Sequence, residues 1–529
     1  MNISIQRESA TKWIVPCVAF LLTVLLVPQI LLAELTVSSI FTDHAVLQRD
    51  MKVPIWGNAE AGATVKVAFA QQKQTATADS DGKWNVSLEP LEASFEPENL
   101  VISSGEQRIE LTNILVGEVW ICSGQSNMKM ETHRVPEARP LARKAKHIRS
   151  FEVKRTVAFE EQDSVGGAWQ QKIPNSAVAF SFAYSLQQKA DVPVGIILSC
   201  WGSSSLEAWM PRDMVQTTPH FKEIMDQFDA DTETRNRIQS ILDGEKPWKT
   251  PDDIFLRRQS NIVYNAMMHG LAPYACRGLV WYQGERNTQS MTSGVKKPWY
   301  ASHSGILKYG STLKQWVERY RKQWQNDKMH FLVVMLPGYG KILPSQKRKP
   351  KKDPDAPDAP KLGPENPDVH SWAWMRESQL QVLDLPHTAV ANTIDLGDVK
   401  NIHPTDKLPI GQRLALLAAR DTLGQDVKAE GPVMSRVETK GNQLIVEFKH
   451  AQGLKTLDGN APTGFWVCDD SRKWAKAEAV IEGQAVVLTC EEVEMPLYVR
   501  YAFAGKPQVN LVNDANLPAR PFRSDSFEP

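Results

Sequence analysis

The sequence predicts an α/β protein: a parallel sheet flanked by helices, with one β-sandwich-like segment before it and another after it. Three observations lead there. At roughly 100 to 200 residues per domain, a chain of 529 residues is too long for one compact core. In its middle, short apolar runs alternate with longer amphipathic stretches, the order of a parallel sheet covered by helices on both faces. On either side the texture changes to short alternating or β-branched runs divided by turn residues, with almost no helical period. The expected division is 1–33 as a signal peptide or N-terminal anchor, 34–112 and 429–529 as β domains, and 113–428 as the α/β module.

Composition excludes several classes of partner. Lys plus Arg and Asp plus Glu each number 61 and cancel, so no broad positive field exists to draw nucleic acid or anionic lipid. Hydrophobic residues at 42% and charged residues at 23% are ordinary for a chain that folds in water.

The first element is the uncharged stretch from Trp13 to Ala33, preceded by Arg7 and Lys12. A basic flank before an apolar core is the pattern of a secretory signal, with cleavage near Ala33 and a secreted or periplasmic location. Pro16, Pro28 and Gln29 interrupt the run as a bilayer helix, and an uncleaved membrane anchor is the alternative reading. Apart from Cys17 the cysteines are Cys122, Cys200, Cys276, Cys468 and Cys490, an odd number that cannot all pair internally. Cys468 and Cys490 could pair or could remain buried thiols. No CxxC or HExxH spacing calls for a metal, and no cofactor is expected.

In the front segment Val53 to Trp56, Thr64 to Phe69 and Trp84 to Leu88 read as strands, and Asp79-Ser80-Asp81-Gly82 is a turn. The central module has five apolar runs: Val119 to Cys122, Val194 to Leu198, Gly278 to Tyr282, Phe331 to Leu336, and Thr388 to Ile394. Helices are expected over Val178 to Lys189, Ser311 to Trp324, Trp374 to Leu383 and Ile410 to Leu423. Seven prolines from Pro344 to Pro367, with Lys347-Arg348-Lys349 and Lys351-Lys352, mark an insertion at 341–370, expected as a surface loop with a solvated basic face. In the rear segment Gln443 to Phe448, Ala485 to Leu488 and Leu497 to Tyr501 read as strands.

Ligands of parallel sheets bind beyond the carboxyl ends of the strands, so the residues following each run are where chemistry is sought. The first run ends in Gly124-Gln125-Ser126-Asn127-Met128. A serine on a tight turn opening a helix is mounted as a nucleophile would be, although it could also simply cap that helix. The motif lacks the second glycine of G-x-S-x-G. After the second run, Gly202 can bring a backbone N–H close to a ligand, as an oxyanion donor or as part of an ordinary turn. Gln283, Gly284 and Glu285 follow the third run, and Asp395-Leu396-Gly397-Asp398 and His403 follow the fifth. A serine, an amide, a carboxylate and a histidine at strand ends of one sheet jointly favour hydrolysis through an acyl-enzyme.

These blocks closely resemble the sialate O-acetylesterase family: Gly117 to Met128 (GEVWICSGQSNM), Trp281 to Glu285 (WYQGE), Asp395 to Asp398 (DLGD), and Ile402-His403-Pro404 with Lys407 and Gly411 to Ala415 (GQRLA). The likeness continues into Phe41 to Gln48 at the front and Leu517 to Arg523 at the back. The family belongs to the SGNH hydrolases, with a flavodoxin-like parallel sheet, and is akin to the acetyl xylan esterases. The resemblance implies a serine esterase that removes O-acetyl groups from sialic acid or another sugar. An acetylesterase of xylan or another polysaccharide is the alternative, and a noncatalytic carbohydrate-binding protein a weaker one. Carried over by position, Ser126 becomes the nucleophile and His403 the general base. The N–H groups of Ser126 and Gly202 and the amide of Gln283 become the oxyanion hole.

Many SGNH enzymes carry an aspartate three residues before the histidine, where this chain has Lys400. Another group must then hold the imidazole, with Glu285 the first candidate and Asp398 the second. Since a missing orienting carboxylate can cost about four orders of magnitude in a serine protease, Glu285→Gln is expected to lower turnover much more than Asp398→Asn. Equal losses in the two variants, measured as kcat on an acetyl ester, would reject that ranking.

Overall fold

The computed structural model describes residues 34–292, 303–340, 365, 367 and 371–529. The expected signal or anchor at 1–33 and nearly all of the insertion at 341–370 lie outside the described residues. Among the described residues no helix is long and apolar enough to cross a membrane.

The architecture is organised by one 18-residue strand, Gln107–Gly124. Its first part alternates between exposed and half-buried positions, while every residue from Ile114 onward is buried. The local sequence accounts for both halves. Gln107-Arg108-Ile109-Glu110-Leu111-Thr112 suits a sheet with one wet face, and the mostly apolar run that follows suits burial on two. The first part pairs antiparallel with Ser94–Ser104, whereas the second lies parallel to Val194–Cys200 on one side and Gly278–Tyr282 on the other. Pairing with Ser94–Ser104 becomes irregular around Asn113, whose φ is 58°. The front strands and the central sheet therefore share a continuous strand across residue 112.

The central sheet runs in the order Trp169–Gln170, Ile148–Glu152, Val194–Cys200, Gln107–Gly124, Gly278–Tyr282, His330–Val334, Thr388–Ala391. Neighbours are parallel except for the short antiparallel edge strand Trp169–Gln170. Strand Ile148–Glu152 has no counterpart among the predicted runs. Its Arg149 is only 5% exposed because the guanidinium donates to the carbonyl of His44 at 3.0 Å and to Asn113 Oδ1 at 2.6 Å. Distant acceptors thus make the burial of a charge tolerable, and nothing in the local sequence announces them.

Helices cover both faces. Trp120 packs edge-on against Phe182 of helix Ala177–Ala190. Trp281, whose register partner Ser123 faces away from Trp120, packs at a tilt against Trp316 of helix Ile306–Gln323. Helices Ser371–Leu380 and Leu408–Leu423 complete the two layers, the first against Ile306–Gln323 and the second against Ala177–Ala190.

The last hundred residues form two four-stranded antiparallel sheets and a small two-stranded one. Cys468 and Cys490 do not form a disulfide. Arg376 pins this region to the central module: with 1% exposure, it donates to the carbonyls of Leu336 and Pro337 and to those of Ala504 and Gly505. Carbonyl dipoles rather than a carboxylate receive this guanidinium, and burial lowers its pKa to about 9.

Candidate active site

The strand ends converge above the gap between Gln107–Gly124 and Gly278–Tyr282. Gly124 has φ of 136°, and a Cβ there would stand 2.1 Å from the carbonyl oxygen of Tyr282, so only glycine allows the two strands to close so tightly at their ends. The same carbonyl accepts from the Gln125 N–H at 3.1 Å, and the Trp201 N–H donates to the Gly124 carbonyl at 3.0 Å. Ser126 then opens a single helical turn, Ser126–Lys129, where the first backbone N–H groups have no acceptor within the helix.

Ser126 Oγ stands 2.8 Å from His403 Nε2. Gly202 lies beside them, near enough that a Cβ on it would meet the Ser126 Cβ at 3.3 Å. The structure therefore brings together three of the predicted residues: Ser126, Gly202 and His403. They line a cleft of about 220 Å³.

The other three stand elsewhere. Gln283 was expected to aim its amide at an oxyanion, but it is fully buried, with Nε2 facing Gln125 Oε1 at 3.2 Å, the Ser204 carbonyl at 3.2 Å and Asn287 Oδ1 at 2.9 Å. Its Oε1 accepts from the Tyr309 hydroxyl at 2.9 Å. Two amide hydrogens with three internal acceptors leave none for the cleft, and Gln283 instead ties the loops beneath Ser126 together. Glu285 is 3% exposed and accepts from Asn127 Nδ2 at 2.5 Å. Asp398 accepts from the N–H groups of Lys400 and Asn401, each at 2.7 Å, which rigidifies the histidine loop. Among the described residues neither carboxylate hydrogen-bonds to the imidazole, contrary to the expectation that one of them would.

Burial, then the charges of Lys407 and Arg134, hold the His403 pKa below its ordinary 6.5. Such an imidazole is neutral, and able to accept a proton, in neutral solution. The carboxyl of Glu285 is pushed up by burial, an effect only partly opposed by the Asn127 hydrogen bond and by Lys407. The Lys407 ammonium, also fully buried, is brought down to about 8 by the same desolvation.

The cleft walls are cationic. Lys129, Arg134 and Arg257 line it, with Glu131 as the acidic neighbour. Burial and then the nearby Arg155 hold Lys129 below the ordinary lysine range. Arg257 is paired with Asp253 at 2.7 Å. Sequence reading missed these walls, since Arg257 follows helix Thr250–Leu256 in a stretch without a predicted element. It also passed over Asn127, although the position directly after a strand-end serine was signal enough to examine it. Among the described residues no group of histidine, cysteine, aspartate and glutamate could hold a metal ion.

Comparison with known proteins points to carbohydrate esterases. The family model for carbohydrate esterase, sialic acid-specific acetylesterase, matches residues 116–254, which include Ser126 and Gly202. Human sialate O-acetylesterase is 25% identical over 94% of this chain and 95% of its own, and the orangutan (Pongo abelii) protein gives the same figures. The mouse protein is 24% identical over 92% of this chain. In structure, a carbohydrate acetylesterase from Xanthomonas citri superimposes with a TM-score of 0.75 at 27% identity, covering 93% of this chain and 100% of its own. Over nearly its whole length, the chain is thus similar to the sialate O-acetylesterases and to a carbohydrate acetylesterase of known structure.

Proposed function

We propose that this protein is a carbohydrate O-acetylesterase that releases acetate from O-acetylated sialic acid by way of an acetyl-serine. The single observation that carries the chemistry is the 2.8 Å contact between Ser126 Oγ and His403 Nε2 at the strand ends. In this reading Ser126 Oγ attacks the acetyl carbonyl while His403 takes its proton. The N–H groups of Ser126 and Gly202 receive the oxyanion, each such donor contributing roughly 100- to 1000-fold to turnover. His403 passes the proton to the departing sugar oxygen, the C–O bond breaks, and the acetyl group remains on Ser126 as an ester. Water, deprotonated by the same imidazole, then attacks the acetyl-serine and frees acetate. The sheet order and the three converging loops support the SGNH layout. The pattern at 1–33 supports export.

The cationic walls favour an acidic sugar over neutral xylan. Lys129, Arg134 and Arg257 face the cleft, and a sugar carboxylate would find donors there that a neutral xylose residue could not use.

Ser126→Ala should abolish acetate release from both an activated acetyl ester and O-acetylated sialic acid; near wild-type activity would overturn the reading. Arg257→Ala should raise KM for O-acetylated sialic acid by about tenfold or more and affect an uncharged acetyl ester less. Equal effects on both, or faster release from acetylated xylan, would favour the polysaccharide alternative. Because the reaction needs neutral His403, kcat/KM should fall as pH drops through the histidine pKa. With that pKa lowered, the acid limb should have its midpoint below 6.5, and a midpoint above it would contradict the assignment.

A further inference from the structure

Asn127, which follows the proposed nucleophile, is 1% exposed, and both ends of its amide are engaged. Nδ2 donates to Glu285 Oε1 at 2.5 Å and to the carbonyl of Ile402 at 3.0 Å, while Oδ1 accepts from Lys407 Nζ at 2.9 Å. Three chain segments meet in this one side chain: the turn carrying Ser126, the loop after Gly278–Tyr282, and the loop carrying His403. We propose that Asn127 is a positioning residue that sets His403 over Ser126 by pinning the carbonyl immediately before it, with Glu285 and Lys407 locking the amide in the orientation this requires.

The argument begins with the imidazole. No carboxylate among the described residues hydrogen-bonds to the ring, so its placement depends on the loop backbone. Asn401 braces that loop internally, accepting from the His403 N–H at 2.9 Å and donating to the His403 carbonyl at 3.0 Å. Asp398 braces the preceding residues by accepting from the N–H groups of Lys400 and Asn401. These bonds stiffen the loop but do not attach it to the serine. The Asn127–Ile402 bond makes that attachment, joining positions 275 apart in sequence.

Amide orientation is the second half of the argument. An ammonium can only donate and a backbone carbonyl can only accept, so Lys407 at one end and the Ile402 carbonyl at the other admit a single orientation of the amide, in which Glu285 Oε1 takes the second hydrogen of Nδ2. Glu285 therefore acts on His403 through two intermediaries rather than by touching it.

The inference rests on the serine–histidine reading above, and four variants separate the two. Asn127→Ala is expected to lower kcat on an uncharged acetyl ester by about 100-fold, the scale of a small misplacement of a catalytic group, with KM changed by less than about threefold. Asn127→Asp combined with Glu285→Gln restores a donor opposite an acceptor and keeps the Lys407 contact, but an aspartate cannot donate to Ile402. That double variant should recover the thermal midpoint lost in Asn127→Asp alone while kcat stays about 100-fold down. Recovery of kcat together with stability, or an Asn127→Ala enzyme within about threefold of wild type, would overturn the positioning role. If Ser126→Ala retained activity, the serine reading itself would fall, whatever the Asn127 variants did.

Discussion

No side chain fits where the central strand ends, and the site is built around that constraint. At Gly124 the neighbouring carbonyl of Tyr282 occupies the place of a Cβ, which lets two parallel strands stay in register to their last residues. The chain then turns upward at Gln125, and Ser126 emerges over the gap. A hydrogen bond from the Trp201 N–H to the Gly124 carbonyl draws the third strand end to the same point, with Gly202 next in line. Strand order makes this place a crevice. The chain leaves the central strand toward Ile148–Glu152 on one side and reaches Gly278–Tyr282 on the other only after two more strands, so connections diverge above the gap as they do at the ligand sites of open α/β sheets.

Beneath that crevice, buried polar groups have to be matched, and the matching supplies the rigidity. Gln283 joins Gln125, Ser204 and Asn287, and Asn287 in turn donates to Ser304 Oγ at 2.9 Å and Glu207 Oε2 at 3.2 Å. Burial would raise the Glu207 carboxyl, but His220, 3.6 Å away, and the charge of His303 outweigh it and hold it at about 2. Such a network holds its loops in one arrangement, because a shift would leave further buried donors or acceptors unpaired. Above the crevice the electrostatics serve two ends. Arg134 helps keep His403 neutral, ready to accept a proton, and with Lys129 and Arg257 it forms a wall suited to an anion. A chain whose formal charge is zero can still present a strongly positive cleft, since the field at a site depends on the charges within a Debye length of it, not on their sum over the chain.

The four helices and the five apolar strands predicted for the module are present, with boundaries displaced by a few residues. Gly278–Tyr282 matches to the residue, while the first run, expected as Val119 to Cys122, is the buried end of a much longer strand. Ser126, Gly202 and His403 were legible because each lies in the stretch between a strand and the helix that follows it or at that helix's start, and such placement is written in local pattern. Ile148–Glu152 was not legible, since the burial of Arg149 depends on acceptors at His44 and Asn113. Nor was the direction in which the Gln283 amide points, for a glutamine after a strand can face a cleft or the interior with equal ease.

What the sequence determined by itself was the set of elements and the residues mounted at their ends. Apolar periodicity and turn chemistry act over a few neighbours, and they suffice to say that a serine, a glycine and a histidine stand on loops of one sheet edge. Only the tertiary structure decided which groups touch. Asn127 meets Glu285, 158 positions away, and Ile402, 275 away. Hydrogen bonds act over about 3 Å, so such partnerships exist only after the sheet order has brought distant loops together. For that reason the chemistry could be read from the chain, whereas the support of the histidine could be read only from the fold.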